Sequence, residues 1–249
     1  MKRMSLLYVC LLLGISATLE AYKIGLCFTA TRKYTRYIEP FLTSCRKYFL
    51  KDHQVTYFIF TDQEIPQAHD KDVVIIHQEH QQWPYITLFR FERYYEVRDL
   101  LKQMDYVFAS DVDMLFVDNV DEKVLSERVA TQHPYFLDMD RAKYTYEDNS
   151  YSTACIYPHE GERYHAGGLY GGTAQEFLRL VQTTAHNIRT DYDRNFVAVW
   201  HDESHLNRYC IDNPPTLVLS SSYCYPESMQ LPMKKILLAL DKDYNEVRW

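Results

Sequence analysis

Four short apolar runs, and what separates them, limit this chain to few folds. "YKIGLCFTA" (22–30), "VTYFIFTD" (55–62), "DVVIIHQ" (72–78) and "DYVFAS" (105–110) are each rich in β-branched or aromatic residues and bounded by polar ones. That is the signature of strands. Between the first two lies "YIEPFLTSCRKYFL", helix-like after Pro40. Between the last two lies "ITLFRFERYYEVRDLLKQM" (86–104), with Leu88, Phe91, Tyr95 and Leu101 broadly on one side of a helix. The order strand, helix, strand predicts an α/β fold built on a mixed, mostly parallel sheet flanked by helices. Such sheets bind ligands at the carboxyl ends of their strands. Asp111 and Asp113, in "SDVDM", stand at the end of the fourth run.

A chain of 249 residues is long enough for one large domain or two small ones with a proper core, the folded part being predicted over 22–249. Residues 121–165 have a looser pattern and read as a variable segment. Of seven glycines, four fall in "GGLYGG" (167–172), which reads as turns or as a place where a ligand approaches the backbone closely. A net charge of −7 argues against a nucleic-acid partner. Six cysteines without a C-x-x-C read as reduced thiols.

At the start, Lys2 and Arg3 precede an uncharged stretch from Met4 to Leu19. It is short for a spanning helix, which needs about 20 apolar residues. It fits a signal peptide or a short membrane anchor over 1–21. The protein is then expected to be membrane-associated through residues 4–19, or exported if they are cleaved. A later true start would leave it cytoplasmic.

Three motifs carry chemistry. The D-x-D at a strand end offers two hard carboxylates to Mg²⁺ or Mn²⁺, commonly a bridge to a diphosphate; the bland alternative is a solvated or arginine-bound pair. Arg90, among apolar residues of the 86–104 segment, is a partner for a carboxylate or a surface guanidinium with a packed stem. "VWHDESHLNRY" (199–209) places His201 and His205 one helical turn apart. It differs from the zinc-peptidase H-E-x-x-H because Asp202, not Glu203, follows the first histidine. Glu203 as the active carboxylate is the stronger reading, with zinc as the alternative and His205 and Asn207 as structural residues. No Walker, G-x-S-x-G or G-x-G-x-x-G pattern is present.

Taken in order, "RKY" (32–34), "FTDQ" (60–63), "DVDM" (111–114), "HP" (133–134), "GGLYGG" (167–172) and "AVWHDESHLN" (198–207) resemble one family. It is the retaining α-1,3-galactosyl- and N-acetylgalactosaminyltransferases related to the ABO histo-blood-group enzymes, and the chain resembles a short microbial or viral member. The resemblance runs from Ile24 to Arg248. It implies a GT-A type nucleotide-sugar fold in a single catalytic domain and a UDP-sugar donor, UDP-GalNAc or UDP-Gal. It also implies an oligosaccharide or glycolipid acceptor, and transfer with retention.

By position, the resemblance implies that Asp111 and Asp113 hold Mn²⁺, with Mg²⁺ as the alternative, and that Asp111 also touches the ribose. Thr29, Ala30, Thr31 and Tyr34 match the uridine loop. Arg90 matches the arginine that contacts donor sugar and the first aspartate, and Asp202 the residue that binds sugar hydroxyls. Lys242 and Arg248 match a C-terminal pair closing over the diphosphate. Ala166, Gly167 and Gly168 match the stretch that sorts donors, where small residues favour GalNAc. His133 and Trp200 match acceptor positions, and Glu203 the nucleophile, also on the acceptor side. A degenerate carbohydrate-binding module on the same fold is the alternative; it predicts loss of Glu203, Asp111 or Asp113, and all three are present.

Overall fold

The computed structural model describes residues 21–242. The four apolar runs are strands β1 (Lys23–Thr29), β2 (Gln54–Thr61), β3 (Val73–His77) and β4 (Tyr106–Ser110). They pair in parallel in the order β3-β2-β1-β4, with Leu26 opposite Tyr57 on one side and Phe108 on the other. Successive side chains alternate between two covered faces, which is why the runs are apolar throughout. Ile24, Leu26 and Phe28 pack with Phe41 and Leu42 of α1 (Ile38–Tyr48). Cys27, Phe58, Phe60 and Val107 pack on the opposite face. Helix α1 begins before Pro40 rather than after it. Proline is tolerated in a first turn because its missing N–H has no intrahelical partner there anyway.

Residues 86–104 form three short helices, α2 (Tyr85–Leu88), α3 (Arg90–Glu96) and α4 (Arg98–Leu101), not the single helix predicted. Leu88, Phe89, Arg90 and Phe91 are all buried. One straight helix buries a stripe and cannot turn four consecutive residues inward. The backbone breaks at Phe89 (φ −93°, ψ 11°) and again at Val97 (φ −98°, ψ 18°). Tyr94, rather than Tyr95, is the fully buried tyrosine.

Beyond β4 the chain bends through Asp111–Asp113 into β5 (Met114–Phe116). The stretch 121–165 contains a sheet strand, β6 (Arg128–Gln132), that its mixed composition concealed. "GGLYGG" lies within β7 (His165–Thr173), antiparallel to both β4 and β6, not in turns. After β7 come α5 (Ala174–Asp193), α6 (His201–Asp212) and β8 (Leu217–Leu219), which closes the seven-stranded sheet beside β6. Helices α3, α5 and α6 cover the second face through Tyr94, Phe177, Val181 and Leu206. A small sheet of β5, β9 (Tyr225–Pro226) and β10 (Leu237–Ala239) brings the C-terminal segment to the aspartate bend, where Leu240 N–H donates to Asp113 O at 3.0 Å.

The glycines of β7 serve close approach. A Cβ on Gly171 would lie 2.5 Å from the Val107 carbonyl oxygen and 2.5 Å from Phe108 Cδ1. Both belong to β4 at the sheet centre, where neither can withdraw. Gly171→Ala is expected to destabilise the fold by about 2 kcal/mol or more, as overpacking does, read as a lower urea midpoint at unchanged slope.

Cys27, Cys45, Cys155, Cys210 and Cys224 are free thiols. Among the described residues, no helix is long and apolar enough to cross a membrane. The predicted signal or anchor falls at residues 1–20, outside the described residues apart from its last position, Ala21. Arg248 is also outside them.

Candidate active site

The strand-end aspartates do not stand alone. Asp111 Oδ1 accepts a hydrogen bond from Arg90 Nη1 at 2.8 Å, and Arg90 Nε lies 3.0 Å from Asp202 Oδ2. One guanidinium thus joins the D-x-D bend to the first turn of α6. Arg90 is 8% exposed and Asp202 also 8% exposed, so each charge would be costly unpaired. The break at Phe89 is what swings Arg90 inward. Asp113 is buried too, and its Oδ2 meets the ammonium of Lys242, delivered by β10.

Thr29, Thr31, Tyr34, Arg90, both aspartates and Lys242 line one cavity at the carboxyl end of β1 and β4. The Lys242 ammonium lies 5.4 Å from the Tyr34 ring centroid. Ala30 is buried beneath, its N–H donating to Phe60 O at 2.8 Å. His80, Trp83, Ile86 and Thr87 line the same cavity. None of these four carries a motif, and only their placement just before the Arg90 segment hinted at them. His80 Nδ1 is 2.9 Å from Thr31 Oγ1.

Glu203 occupies the next turn position. Its Oε2 accepts a hydrogen bond from Gly167 N–H at 2.8 Å, and a Cβ on Gly167 would lie only 3.5 Å from that oxygen. Burial pushes the Glu203 carboxyl up to about 7; the Gly167 N–H and the Tyr164 hydroxyl oppose the rise, and Asp202 and Asp111 add to it. Burial likewise pushes Asp202 up to about 6 against the pull of Arg90. Ala166 is buried in β7 beside these groups, while a Cβ on Gly168 would face Cys224 Sγ at 2.9 Å and Met114 Sδ at 3.3 Å.

On the far side of Glu203, the Tyr164 ring packs edge-on against His133, ring centroids 5.5 Å apart, and its hydroxyl helps hold the Glu203 carboxyl down. Burial lowers His133 to about 4, so the ring is neutral near pH 7. Trp200, directly before α6, is 47% exposed. Tyr164 is a site residue that sequence reasoning missed; nothing distinguishes it among 22 tyrosines. The two histidines of "HDESH" part company. His201 packs edge-on against Trp83, whereas His205 is buried 3.7 Å from Asp191 of α5. Among the described residues, no group of three His, Cys, Asp or Glu is placed to hold a metal by itself.

A family profile described as glycosyltransferase family 6 matches residues 10–249. The chain belongs to glycosyltransferase family 6. Its sheet, mostly parallel and flanked by helices, agrees with the GT-A fold of family 6. Among its relatives, histo-blood group ABO system transferase 1 of Rattus norvegicus is 34% identical over 242 residues, covering 92% of this chain and 70% of that one. Globoside alpha-1,3-N-acetylgalactosaminyltransferase 1 of Gallus gallus is 31% identical, covering 90% and 69%. The O-antigen biosynthesis glycosyltransferase WbnI of Escherichia coli is 29% identical, covering 82% and 88%. As a family 6 member the protein is a glycosyltransferase.

Proposed function

We propose that this glycosyltransferase moves GalNAc, or Gal, from its UDP-sugar to the 3-hydroxyl of a galactose-containing oligosaccharide or glycolipid. The new linkage is α, configuration is retained, and Mn²⁺ is required, with Mg²⁺ as the alternative. The observation that carries this reading is the Arg90 bridge. It couples the carboxylates suited to a diphosphate to the helix turn that presents Asp202 and Glu203.

The donor set suits a hard divalent ion. Among the described residues, the second oxygen of each D-x-D carboxylate makes no hydrogen bond, and both are hard ligands. Asp111 and Asp113 would hold the ion, which when bound neutralises charge developing on the leaving diphosphate. Thr29, Thr31 and Tyr34 take the uridine, with buried Ala30 supporting their loop from beneath, and Lys242, with Arg248, adds fixed positive charge at the diphosphate. The bond from the anomeric carbon to the diphosphate oxygen breaks, its electron pair leaving with UDP. The acceptor oxygen bonds to the same carbon, and its proton goes to the departing diphosphate. Glu203 lies beneath the sugar, where an ionised carboxylate either adds to the anomeric carbon or stabilises its positive charge; both routes give retention.

Asp202 binds sugar hydroxyls, while His133 and Trp200 take the acceptor. Ala166, Gly167 and Gly168 form the donor-sorting stretch, whose small residues at Ala166 and Gly167 favour UDP-GalNAc, while the space beside Gly168 is taken by Cys224 and Met114. The deciding experiment measures UDP release from UDP-GalNAc, UDP-Gal, UDP-Glc and UDP-GlcNAc with lactose or a fucosylated acceptor and Mn²⁺. UDP-GalNAc is expected to dominate, and EDTA to abolish the rate until Mn²⁺ is restored. Release from glucose-type donors alone would overturn the donor assignment, and a rate indifferent to EDTA the metal requirement.

A further inference from the structure

Strand β7 has two edges, and one of them runs out of strand. Its last β4 partner is Ser110, opposite Leu169, and the Asp111 N–H still reaches Gly168 O at 3.2 Å. There β4 turns away into the aspartate bend. The remaining peptide groups on that edge, at Gly167 and His165, are met by side chains of α6. Gly167 N–H donates to Glu203 Oε2 at 2.8 Å. His165 N–H donates to Asn207 Oδ1 at 2.8 Å, and Asn207 Nδ2 donates back to His165 O at 2.9 Å.

The spacings match. Two strand residues advance about 6.7 Å, and four helical residues rise about 6 Å. An i, i+4 pair on a helix can therefore face alternate residues of a strand edge. Asn207 presents an amide to His165 as a neighbouring peptide would, and its second N–H holds Glu203 O at 3.0 Å. Asn207 is 1% exposed and all three of these bonds are internal. A carboxylate could not make them, since two go to carbonyl oxygens.

We propose that Asn207 is a positioning residue for sugar transfer: by docking α6 on His165, it sets the height at which the Glu203 carboxylate meets Gly167 N–H and the donor sugar. This rests on Glu203 being the carboxylate that faces the sugar. Asn207 itself touches no substrate. Without its clamp α6 slides along the β7 edge, and a misplacement near 1 Å is enough to cost about 10²-fold in rate.

The test uses Asn207→Asp, and Asn207→Ser should the first fold poorly, with the folded fraction read by circular dichroism. A fall in kcat of about 10- to 100-fold is expected, with UDP affinity within about threefold of the parent because the groups proposed to hold UDP lie on the β1 loop and the aspartate bend, not on α6. The acid limb of the kcat profile is expected to move to higher pH, because the Gly167 N–H holds the Glu203 carboxyl down. The other groups around Glu203 are Asp202, Asp111, Tyr164 and Cys224, all unchanged in these variants, and Asn207→Ser, which adds no charge, separates lost positioning from the carboxylate that Asn207→Asp introduces. His165, lowered to about 4 by burial, stays neutral across the range.

In a Glu203→Gln background, Asn207→Asp should cost little further rate. A parental kcat and acid limb in Asn207→Asp, with Glu203→Gln inactive, would overturn the positioning role alone. Parental turnover by Glu203→Gln would instead overturn the reading on which it rests.

Discussion

Glu203→Gln is expected to lower sugar transfer by about 10³-fold or more while leaving UDP affinity close to parental. The substitution keeps an oxygen to accept from Gly167 N–H but removes the negative charge that faces the anomeric carbon. The groups proposed to hold UDP, namely Asp111, Asp113 and the β1 loop, are not touched by the change. The same variant is expected to be more stable than the parent at pH 8. Burial raises the folded carboxyl to about 7, above the ordinary 4.5. Below about 4.5 the folded and unfolded states both carry the proton, and the buried acid costs nothing. As pH rises through 7 the folded protein must ionise a buried group, and that stability is lost. Relief by the neutral amide should be about 1–3 kcal/mol, read as a rise in melting temperature at pH 8 that vanishes at pH 4.5. In the parent, kcat should rise through a limb near pH 7, because the active form is ionised. An unchanged turnover in the variant, or a melting temperature that falls at pH 8, would contradict the assignment.

Arg90→Met should have the largest effect on the fold of any single change in the site. The methionine keeps an apolar stem for the pocket between α3 and β4 but leaves Asp202 and Asp111 facing each other without a cation. Removing one partner of a buried pair costs about 3–5 kcal/mol; the low end is appropriate because the Asp111 side chain is 40% exposed. Arg90→Lys should recover only part of this, since a single ammonium cannot span both carboxylates as a guanidinium does. The loss should shrink at pH 5. Asp202 already stands near 6 with Arg90 present, and without it would rise further and take up a proton. Urea midpoints at pH 5 and pH 8 check this, and adding Asp202→Asn should restore stability at pH 8. A loss that grows at pH 5 would mean the bridge is not what holds α6 to the aspartate bend.

Much of this was legible in the chain. The strands around Leu26, Phe58, Ile75 and Phe108 were readable because a strand covered on both faces must be apolar throughout. Asp111 and Asp113 stood out because charge in apolar company has few explanations, whereas Glu203 was marked by its neighbours in "HDESH" and by the family resemblance. Strand β6 was not readable, because Val129 and Ala130 sit among charged neighbours and gain their meaning only from pairing with β7 and β8. Nor was the break at Phe89, since local periodicity does not reveal that four consecutive residues turn inward. Arg90 could be marked as a partner for a carboxylate, yet its second partner, Asp202, lies more than a hundred residues further on. Tyr164 carried no signal of its own, and Asn207, read as a structural residue, gave no hint of its partner His165.

The sequence by itself determined the sheet's apolar strands, the family, and the carboxylates Asp111, Asp113 and Glu203 on which the proposed chemistry rests. Those properties follow from side-chain chemistry and spacing within one element. Only the tertiary structure decided that "GGLYGG" is a central strand, that Arg90 bridges two carboxylates, and that α6 stands in for a missing strand through Glu203 and Asn207. The reason is that a backbone N–H at His165 or Gly167 needs a partner wherever the fold puts it. Which edge β4 leaves open is settled by the packing of the whole sheet, not by any local pattern.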